Sequence, residues 1–171
     1  QMDVLLDLAV REVTDKTDFI VAPETFINDN VWRRFLYKDP HVLRIWRFMQ
    51  DRCKKASFII GVTYYQLYRT KDQATPTARE LGESGKYYDS FNAAIQVDAT
   101  RRPQVYKKSK LVPGAEIFPF PWLFFFMKPV VDQLGGTTAG FGSQPKRTPM
   151  ASPNGRIAPV ICYESIYGEY F

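Results

Sequence analysis

The chain has 171 residues, of which 45% are hydrophobic, 15% aromatic and 24% charged, and its formal net charge is +5. A disordered chain would be poorer in aromatic residues, so this composition indicates a globular protein with enough chain for one core. Two cysteines exclude a scaffold held by several disulfides. The small positive charge is spread along the chain, so we expect no nucleic-acid partner.

The first half of the chain predicts two helices and a strand. Residues 2–14 place apolar side chains on one face and polar ones opposite, which is typical of an amphipathic helix. Residues 18–22 form a short apolar run closed by Pro23, the pattern of a buried strand that ends in a loop. Asp39 followed by Pro40 predicts the start of a second helix, with the aspartate as N-cap.

The middle of the chain predicts a sheet. Residues 57–65 are β-branched and aromatic and predict a central strand buried on both faces. Residues 69–86 are polar and predict an exposed excursion, after which 88–97 and 103–107 predict a β-hairpin. Cys53 falls on the apolar face of the second helix and is interpreted as a core residue. Strands separated by helices indicate an α/β domain with a mixed sheet.

The last third contains a long loop, an aromatic run and a final strand. Residues 117–127 are strongly apolar but too few for a membrane span, and they leave two interpretations open. They are either part of the core or an aromatic element that rests among lipid headgroups. Residues 156–161 predict a last strand, which leads through Cys162 into a final helix. Because the chain starts at Gln1 within one helical pattern and stops at Phe171 within another, we expect it to be part of a longer protein.

Three reactive side chains follow predicted strands. Glu24 comes directly after Pro23, at the rim of the sheet, where a partly desolvated carboxylate can act as a base. Strand alternation sends Lys107 and Lys108 to opposite faces, so one of them should point inward and need a carboxylate partner such as Glu24. Cys162 lies at a strand-to-helix turn, where exposure and the helix dipole favour a nucleophilic thiolate.

Each of these residues also has a purely structural interpretation. Strand-end glutamates are most often solvated, clustered lysines often protect a sheet edge, and a lone cysteine is more often buried. His41 is the single histidine, so proton transfer falls mainly on Glu and Lys. The sequence contains no metal-ligand cluster and no glycine-rich phosphate loop.

In this order, the three residues and their surroundings resemble the nitrilase, or carbon–nitrogen hydrolase, superfamily and its Glu-Lys-Cys triad. The combination of Tyr-x-Lys-x-x-Leu-Val-Pro-x-x-Glu with Cys-Tyr-Glu is similar to the membrane branch of that superfamily, the apolipoprotein N-acyltransferases. The stretches that carry the resemblance are 21–25, 91–94, 106–116 and 161–165.

The resemblance implies a role for each matching residue. Cys162 would be the nucleophile, Glu24 the general base, and Lys108 the group that stabilises the tetrahedral oxyanion. Four further residues would support the site: Asn92, Glu116, Tyr163 and Glu164. No cofactor and no metal is implied.

The implied fold is an α-β-β-α sandwich with mixed sheets, of which residues 1–171 would form one partial domain. The transmembrane part and the C-terminal remainder of that domain would lie outside this chain. The implied reaction moves an acyl chain from a phospholipid, through a thioester on Cys162, to the N-terminal diacylglyceryl-cysteine of a lipoprotein. The expected partners are therefore the phospholipid donor, the lipoprotein acceptor and the membrane, which residues 117–127 would also contact. The expected location is the extracytoplasmic side of a bacterial inner membrane.

Two alternatives remain open. The same triad on a small amide or nitrile would make the protein a soluble C–N hydrolase. A degenerate triad would make it a binding module without catalysis, in which case Cys162 would not react with alkylating agents.

Overall fold

A computed structural model describes residues 1–113, 116 and 140–170 of the chain. Its helices are α1 (Met2–Glu12) and α2 (Pro40–Arg52). Its strands are β1 (Phe19–Val21), β2 (Ile27–Trp32), β3 (Ser57–Tyr68), β4 (Arg79–Glu80), β5 (Tyr87–Asp98), β6 (Gln104–Lys107), β7 (Met150–Ser152) and β8 (Gly155–Ile157). Short 3₁₀-helices cover Arg33–Lys38, Lys71–Gln73, Cys162–Ile166 and Gly168–Tyr170. None of the helices in this part of the chain has both the length and the apolar character that a membrane span requires.

The main sheet has six strands built around the long antiparallel pair β3 and β5. On the outer side of β3, β1 and β2 run parallel to it, one after the other. On the outer side of β5, β6 and β4 run antiparallel to it. Each outer side therefore has a break between two strands, and both breaks fall near the middle of the central pair. The sheet is mixed and the class is α/β, as the sequence predicted.

Helices α1 and α2 cover one face of the sheet and form the larger core with it. Ile45 and Met49 of α2 are completely buried, and Phe48 packs edge-on against Phe58 of β3 with their ring centroids 6.3 Å apart. The predicted start of α2 is confirmed, because the Asp39 carboxylate accepts hydrogen bonds from the backbone N–H groups of His41 and Val42. Cys53 is buried in this core, also as predicted.

A second, smaller core lies on the other face of the sheet. Its members come from the central strands and from the end of the chain: Ile59, Ala94, Tyr106, Met150 and Ile161. The hairpin of β7 and β8 lies over this face, where the side-chain amide of Gln96 donates to the carbonyl of Ala151 at 2.7 Å. The described residues thus form one helical layer, a six-stranded sheet and a two-stranded sheet.

Three sequence predictions need correction. The run closed by Pro23 is an edge strand and is not buried, because Phe19 is 39% exposed and Val21 72% exposed. The predicted strand over 156–161 ends at Ile157, since Pro159 has no N–H with which to continue the ladder. The segment after Cys162 forms two short 3₁₀-helices in place of an α-helix. The aromatic run 117–127 lies outside the described residues.

Candidate active site

Glu24 lies in the break between β1 and β2, directly against the middle of β3. Two backbone hydrogen bonds continue the pairing with β3 up to this position: the N–H of Ala22 donates to the carbonyl of Ile59, and the N–H of Gly61 donates to the carbonyl of Pro23 at 3.1 Å. Thr25 adopts a φ of 50°, a left-handed conformation that a β-branched residue rarely takes. Backbone strain of this kind concentrates at functional positions.

Gly61 is required for this close approach. A Cβ atom added there would lie 2.5 Å from the nitrogen of Thr25 and 2.6 Å from the Cα of Glu24, and neither backbone atom can move away cheaply. We expect Gly61→Ala to shift Glu24 and to lower the unfolding free energy by about 1–3 kcal/mol. Urea unfolding measures the loss. Gly168→Ala is the matched control, because nothing lies within 4 Å of its added Cβ. Equal stability of the two variants would show that the approach is not tight.

Lys108 lies in the corresponding break on the far side of the sheet, one residue after β6 ends. Its backbone N–H donates to the carbonyl of Asn92, and its side chain is 1% exposed. The ammonium nitrogen lies 2.9 Å from Glu116 Oε1 and 3.7 Å from Glu24 Oε1. Of the two neighbouring lysines, Lys108 is therefore the one that points into the sheet face carrying Glu24.

Asn92 joins the two glutamates. Its side-chain Nδ2 donates to Glu24 Oε1 at 2.5 Å and to Glu116 Oε1 at 3.0 Å. Burial acts to raise the pKa of Glu116, but hydrogen bonds from Asn92, Lys108 and the Val112 N–H, with the lysine charge, lower it overall. Glu116 is thus held as a carboxylate. Glu24, Asn92, Lys108 and Glu116 are called the carboxylate–lysine cluster below.

Cys162 follows Ile161 with a φ of 48°, and its side chain is exposed. The turn gives the thiol the access that a nucleophile needs. The 3₁₀-helix that follows has only five residues, so the dipole assistance expected from an α-helix is small. The exposure of the thiol therefore comes from the left-handed turn.

Glu164 stabilises the turn at Cys162 through buried hydrogen bonds. It is completely buried, and its Oε1 accepts hydrogen bonds from the Tyr106 hydroxyl at 2.6 Å and from both the N–H and the hydroxyl of Ser109 at 2.7 Å. Its Oε2 accepts from the N–H of Ile161 at 2.9 Å. Burial alone would raise the pKa of Glu164, but these donors lower it. One ionised carboxylate therefore ties the cysteine turn to the segment that follows Lys108.

One sign of this network is visible in the sequence, because Tyr106 lies two residues before Lys108 and the two side chains therefore share a strand face. The long-range bonds from Tyr106 and Ser109 to Glu164 could not be read from spacing. Tyr163 lies beside the network and packs edge-on against Tyr167, with ring centroids 5.6 Å apart.

A cavity of about 380 Å³ is lined by Cys162 and by two members of the carboxylate–lysine cluster, Glu24 and Asn92. Lys108 does not line it, and its ammonium lies 3.7 Å from Glu24 Oε1. Glu24 and Asn92 line it from the sheet, and Cys162 lines it from the opposite side. Its remaining wall is mostly apolar, with contributions from Val21, Ile59, Ala94 and Val160. Arg156, which the sequence reasoning did not single out, lines it as well. This arrangement can hold an apolar substrate with its reacting group beside a thiol and a carboxylate.

Other candidate ligands and bases lie outside this cavity. His41 pairs with Asp29 on the surface of the helical face, 2.8 Å away, and does not line the cavity. Among the residues that the structure describes, no group of three or more His, Cys, Asp or Glu side chains is placed to hold a metal ion.

Lys107 points to the face opposite Lys108 and is half-buried. Its ammonium donates to Gln66 Oε1 at 2.6 Å and lies 4.0 Å from the centre of the Phe91 ring. Burial, helped by the charge of Arg33, lowers the pKa of Lys107 to about 8, although Asp89 opposes the shift.

Lys107 should make the unfolding free energy depend on pH in the alkaline range. Between the folded pKa of about 8 and the ordinary value of 10.5, the unfolded chain binds more protons than the folded one. The unfolding free energy should therefore rise with pH across that window. We expect Lys107→Met to remove the rise, and the exposed Lys86→Met to keep it, in urea titrations from pH 7.5 to pH 10.5. Parallel curves for the two variants would contradict the assignment.

Three comparisons relate this geometry to known proteins. No protein-family model matches the chain. A stretch of 101 residues, 56% of the chain, is 31% identical to an apolipoprotein N-acyltransferase of Pseudomonas putida, and it spans 17% of that enzyme. A solved CN-hydrolase superfamily protein of Xanthomonas campestris, with an arsenic adduct in its active site, aligns with a TM-score of 0.54 at 16% identity. That alignment covers 99% of this chain and 51% of the other.

The chain therefore spans about a sixth of its curated relative and about half of its structural neighbour. At this identity the structural likeness concerns the fold, and it confirms the predicted fold class. The sequence match agrees with the resemblance that the motifs indicated. This chain has the fold of the carbon–nitrogen hydrolase superfamily, and its sequence is similar to that of an apolipoprotein N-acyltransferase.

Proposed function

We propose that this chain forms part of the catalytic domain of an acyltransferase that moves a fatty acyl chain from a phospholipid to the N-terminal diacylglyceryl-cysteine of a lipoprotein. The observation that carries the proposal is the cavity. It combines an exposed thiol and a carboxylate with a mostly apolar wall, which suits an acyl ester. The match to an apolipoprotein N-acyltransferase supports the same reaction.

In the first half-reaction, Cys162 Sγ attacks the carbonyl carbon of the phospholipid ester while Glu24 accepts the thiol proton. The carbonyl oxygen becomes an oxyanion, which the positive charge of Lys108 stabilises. The carbon–oxygen bond of the ester then breaks. Glu24 returns the proton to the departing lysophospholipid oxygen, and the acyl chain remains on Cys162 as a thioester.

In the second half-reaction, the amine of the lipoprotein attacks the thioester carbonyl. Glu24 takes a proton from the attacking nitrogen, the carbon–sulfur bond breaks, and the proton passes to the sulfur. The products are an amide on the lipoprotein and a free Cys162. Each half-reaction returns the site to its initial charge.

Glu24 and Glu116 have different roles because their surroundings differ. Glu116 is 12% exposed, accepts from Lys108 at 2.9 Å, and therefore serves as the permanent counter-charge of the lysine. Glu24 is 39% exposed, lies 3.7 Å from the same ammonium, and faces the cavity. Glu24 is therefore the carboxylate that is free to exchange a proton with a substrate.

We further propose that the complete protein lies in the inner membrane of a bacterium, with this domain on the extracytoplasmic side. The name of the Pseudomonas relative supports a bacterial enzyme of lipoprotein acylation. A phospholipid donor and a lipoprotein acceptor are both membrane-bound, so the site must work beside a bilayer.

The test uses a phospholipid with a labelled acyl chain. We expect the label to appear on the protein as a thioester that neutral hydroxylamine releases, and to pass to a lipopeptide with an N-terminal diacylglyceryl-cysteine. Absence of both products would contradict the proposal. The control is the same assay with a phospholipid that is labelled in its headgroup. This label should not become attached to the protein or to the lipopeptide, because the headgroup leaves with the lysophospholipid.

A second function is hydrolysis of a small C–N substrate by the same residues, which the fold of the Xanthomonas neighbour favours. Release of ammonia from short-chain amides without any phospholipid would support it. The mostly apolar wall of the cavity favours the acyl ester over a small polar amide.

A further inference from the structure

Gln144 lies beside the end of β6, on the side away from β5. Successive N–H groups of an antiparallel strand point to opposite sides, and here Lys108 donates to the carbonyl of Asn92 on β5 at 2.8 Å. The N–H of Lys107 points the other way and donates to Gln144 Oε1 at 3.0 Å. The backbone N–H of Gln144 in turn donates to the carbonyl of Lys108 at 3.3 Å. The backbone at Lys108 is therefore bonded on both sides.

Two further hydrogen bonds fix the side chain of Gln144. Its Nε2 donates to the carbonyl of Lys146 at 2.7 Å and to the hydroxyl of Thr148 at 3.2 Å. The amide oxygen accepts from an N–H group while the amide nitrogen donates to a carbonyl, so the orientation of the amide is determined. Gln144 therefore joins residues 146–148 to the end of β6.

The segment that contains Gln144 also bonds to the backbone elsewhere around the carboxylate–lysine cluster. The N–H of Phe141 donates to the carbonyl of Glu116 at 2.9 Å, and the N–H of Gly142 donates to the carbonyl of Ser90 on β5 at 2.8 Å. These bonds use backbone groups that every side chain leaves in place. The side chain of Gln144 supplies the contact that a substitution can remove without changing the backbone.

We propose that Gln144 is a positioning residue for acyl transfer, because it holds the end of β6 and with it the ammonium of Lys108. That ammonium lies 2.9 Å from Glu116 and 3.7 Å from Glu24 at the end of a flexible four-carbon stem, so its place depends on a fixed backbone. A displacement of about 1 Å can lower a rate by about 100-fold. Gln144 does not line the cavity and acts through Lys108. Its role in the reaction rests on the proposed function.

The first test compares variants by urea unfolding and does not need acyl transfer. Gln144→Met removes the acceptor of the Lys107 N–H at similar side-chain volume, and it should also loosen the ion pair of Lys108. We therefore expect its loss of unfolding free energy to fall by about half or more in a background of Lys108→Met with Glu116→Gln, which has no ion pair to loosen. Circular dichroism verifies that each variant is folded.

Gln104→Met is the matched control. Gln104 lies on the same strand, and its side chain also bonds to a neighbouring backbone, accepting from the N–H of Ala151 at 2.9 Å. It is four residues from Lys108, so its loss should be the same in both backgrounds. An equal loss for Gln144→Met in the two backgrounds would overturn the inference, because Gln144 would then stabilise the fold without acting on Lys108.

The second test measures transfer of a labelled acyl chain. Gln144→Met should lower kcat by about 10- to 100-fold and leave KM within about threefold, since Gln144 contacts no part of the cavity. Gln144→Glu keeps an acceptor for the N–H of Lys107 and should recover most of the lost kcat, while Gln104→Met should keep kcat within about threefold. An unchanged kcat in Gln144→Met would contradict the positioning role.

The two tests separate this inference from the proposed function. If the unchanged protein transferred no acyl chain, the proposed function would fail, and the unfolding comparison would still decide whether Gln144 holds Lys108. If the unchanged protein transferred the acyl chain and Gln144→Met did so equally well, only the positioning role would fail.

Discussion

Replacing Cys162 with alanine should abolish acyl transfer, by at least about 1,000-fold, and leave the fold intact. The reaction needs a sulfur atom to carry the acyl group, and the chain's other cysteine, Cys53, is buried in the helical core. Cys162 is exposed, so its truncation should change the unfolding free energy by no more than about 0.5 kcal/mol. Transfer of a labelled acyl chain and urea unfolding measure the two effects.

Cys53→Ala is the matched control for this substitution. It removes the same atom from a buried position, so it should lower stability by about 1 kcal/mol and preserve transfer. Iodoacetamide should modify one thiol per native chain, and Cys162→Ala should eliminate that reaction. Continued labelling of a lipoprotein acceptor by Cys162→Ala would refute the thioester route. A Cys162 that resists alkylation would favour the binding module without catalysis.

The fold was predictable where the side-chain pattern depends on local contacts. The run 57–65 predicted a strand buried on both faces, and β3 begins at Ser57, with its first six residues buried. The Asp39-Pro40 start of α2 depends on a cap made within three residues, so the sequence alone contains it.

The sequence predictions were wrong where contacts between distant parts of the chain determine the local structure. Phe19 and Val21 look like core residues, but β1 is the edge of the sheet beyond β3, and strand order is not encoded in a three-residue run. The segment after Cys162 has the composition of a helix. Its conformation instead follows Glu164, which bonds to Tyr106 and Ser109 more than fifty residues away.

The candidate residues of the site could be named from the sequence, but their arrangement in space could not. Their places after predicted strands indicated Glu24 and Cys162, and strand alternation predicted that either Lys107 or Lys108 would point inward. The family resemblance selected Lys108. Their convergence depends on the two breaks in the outer strands, which face each other across β3 and β5. Gly61 allows the first break to close on Glu24, and its importance appears only once the strands are paired.

The ion pair between Lys108 and Glu116 should have a large effect on stability. Lys108→Met should lower the unfolding free energy at neutral pH by about 3–5 kcal/mol, because it leaves the carboxylate of Glu116 without its partner at 2.9 Å. In the unchanged protein the pKa of Glu116 is lowered, so its contribution to stability is present above the unfolded pKa and is lost as pH falls through the folded one. Lys108→Met removes the hydrogen bond and the charge of the lysine, two of the causes that lower the pKa of Glu116, so this pKa should be higher in the variant than in the unchanged protein. The stability deficit of the variant should therefore widen as the pH rises from about 4 to about 7.

The double variant Lys108→Met with Glu116→Gln separates the structural role of the lysine from its catalytic one. It removes both buried charges, so most of the lost stability should return and the additional pH dependence should disappear. Acyl transfer should remain absent in the single and the double variant, because neither can stabilise the oxyanion. Urea unfolding at several pH values and the labelled-acyl assay measure the two properties. If the double variant were no more stable than Lys108→Met, Glu116 would not be the counter-charge of the lysine, and Glu24 would have to hold it instead. If transfer returned with stability, Lys108 would act only by keeping the site folded.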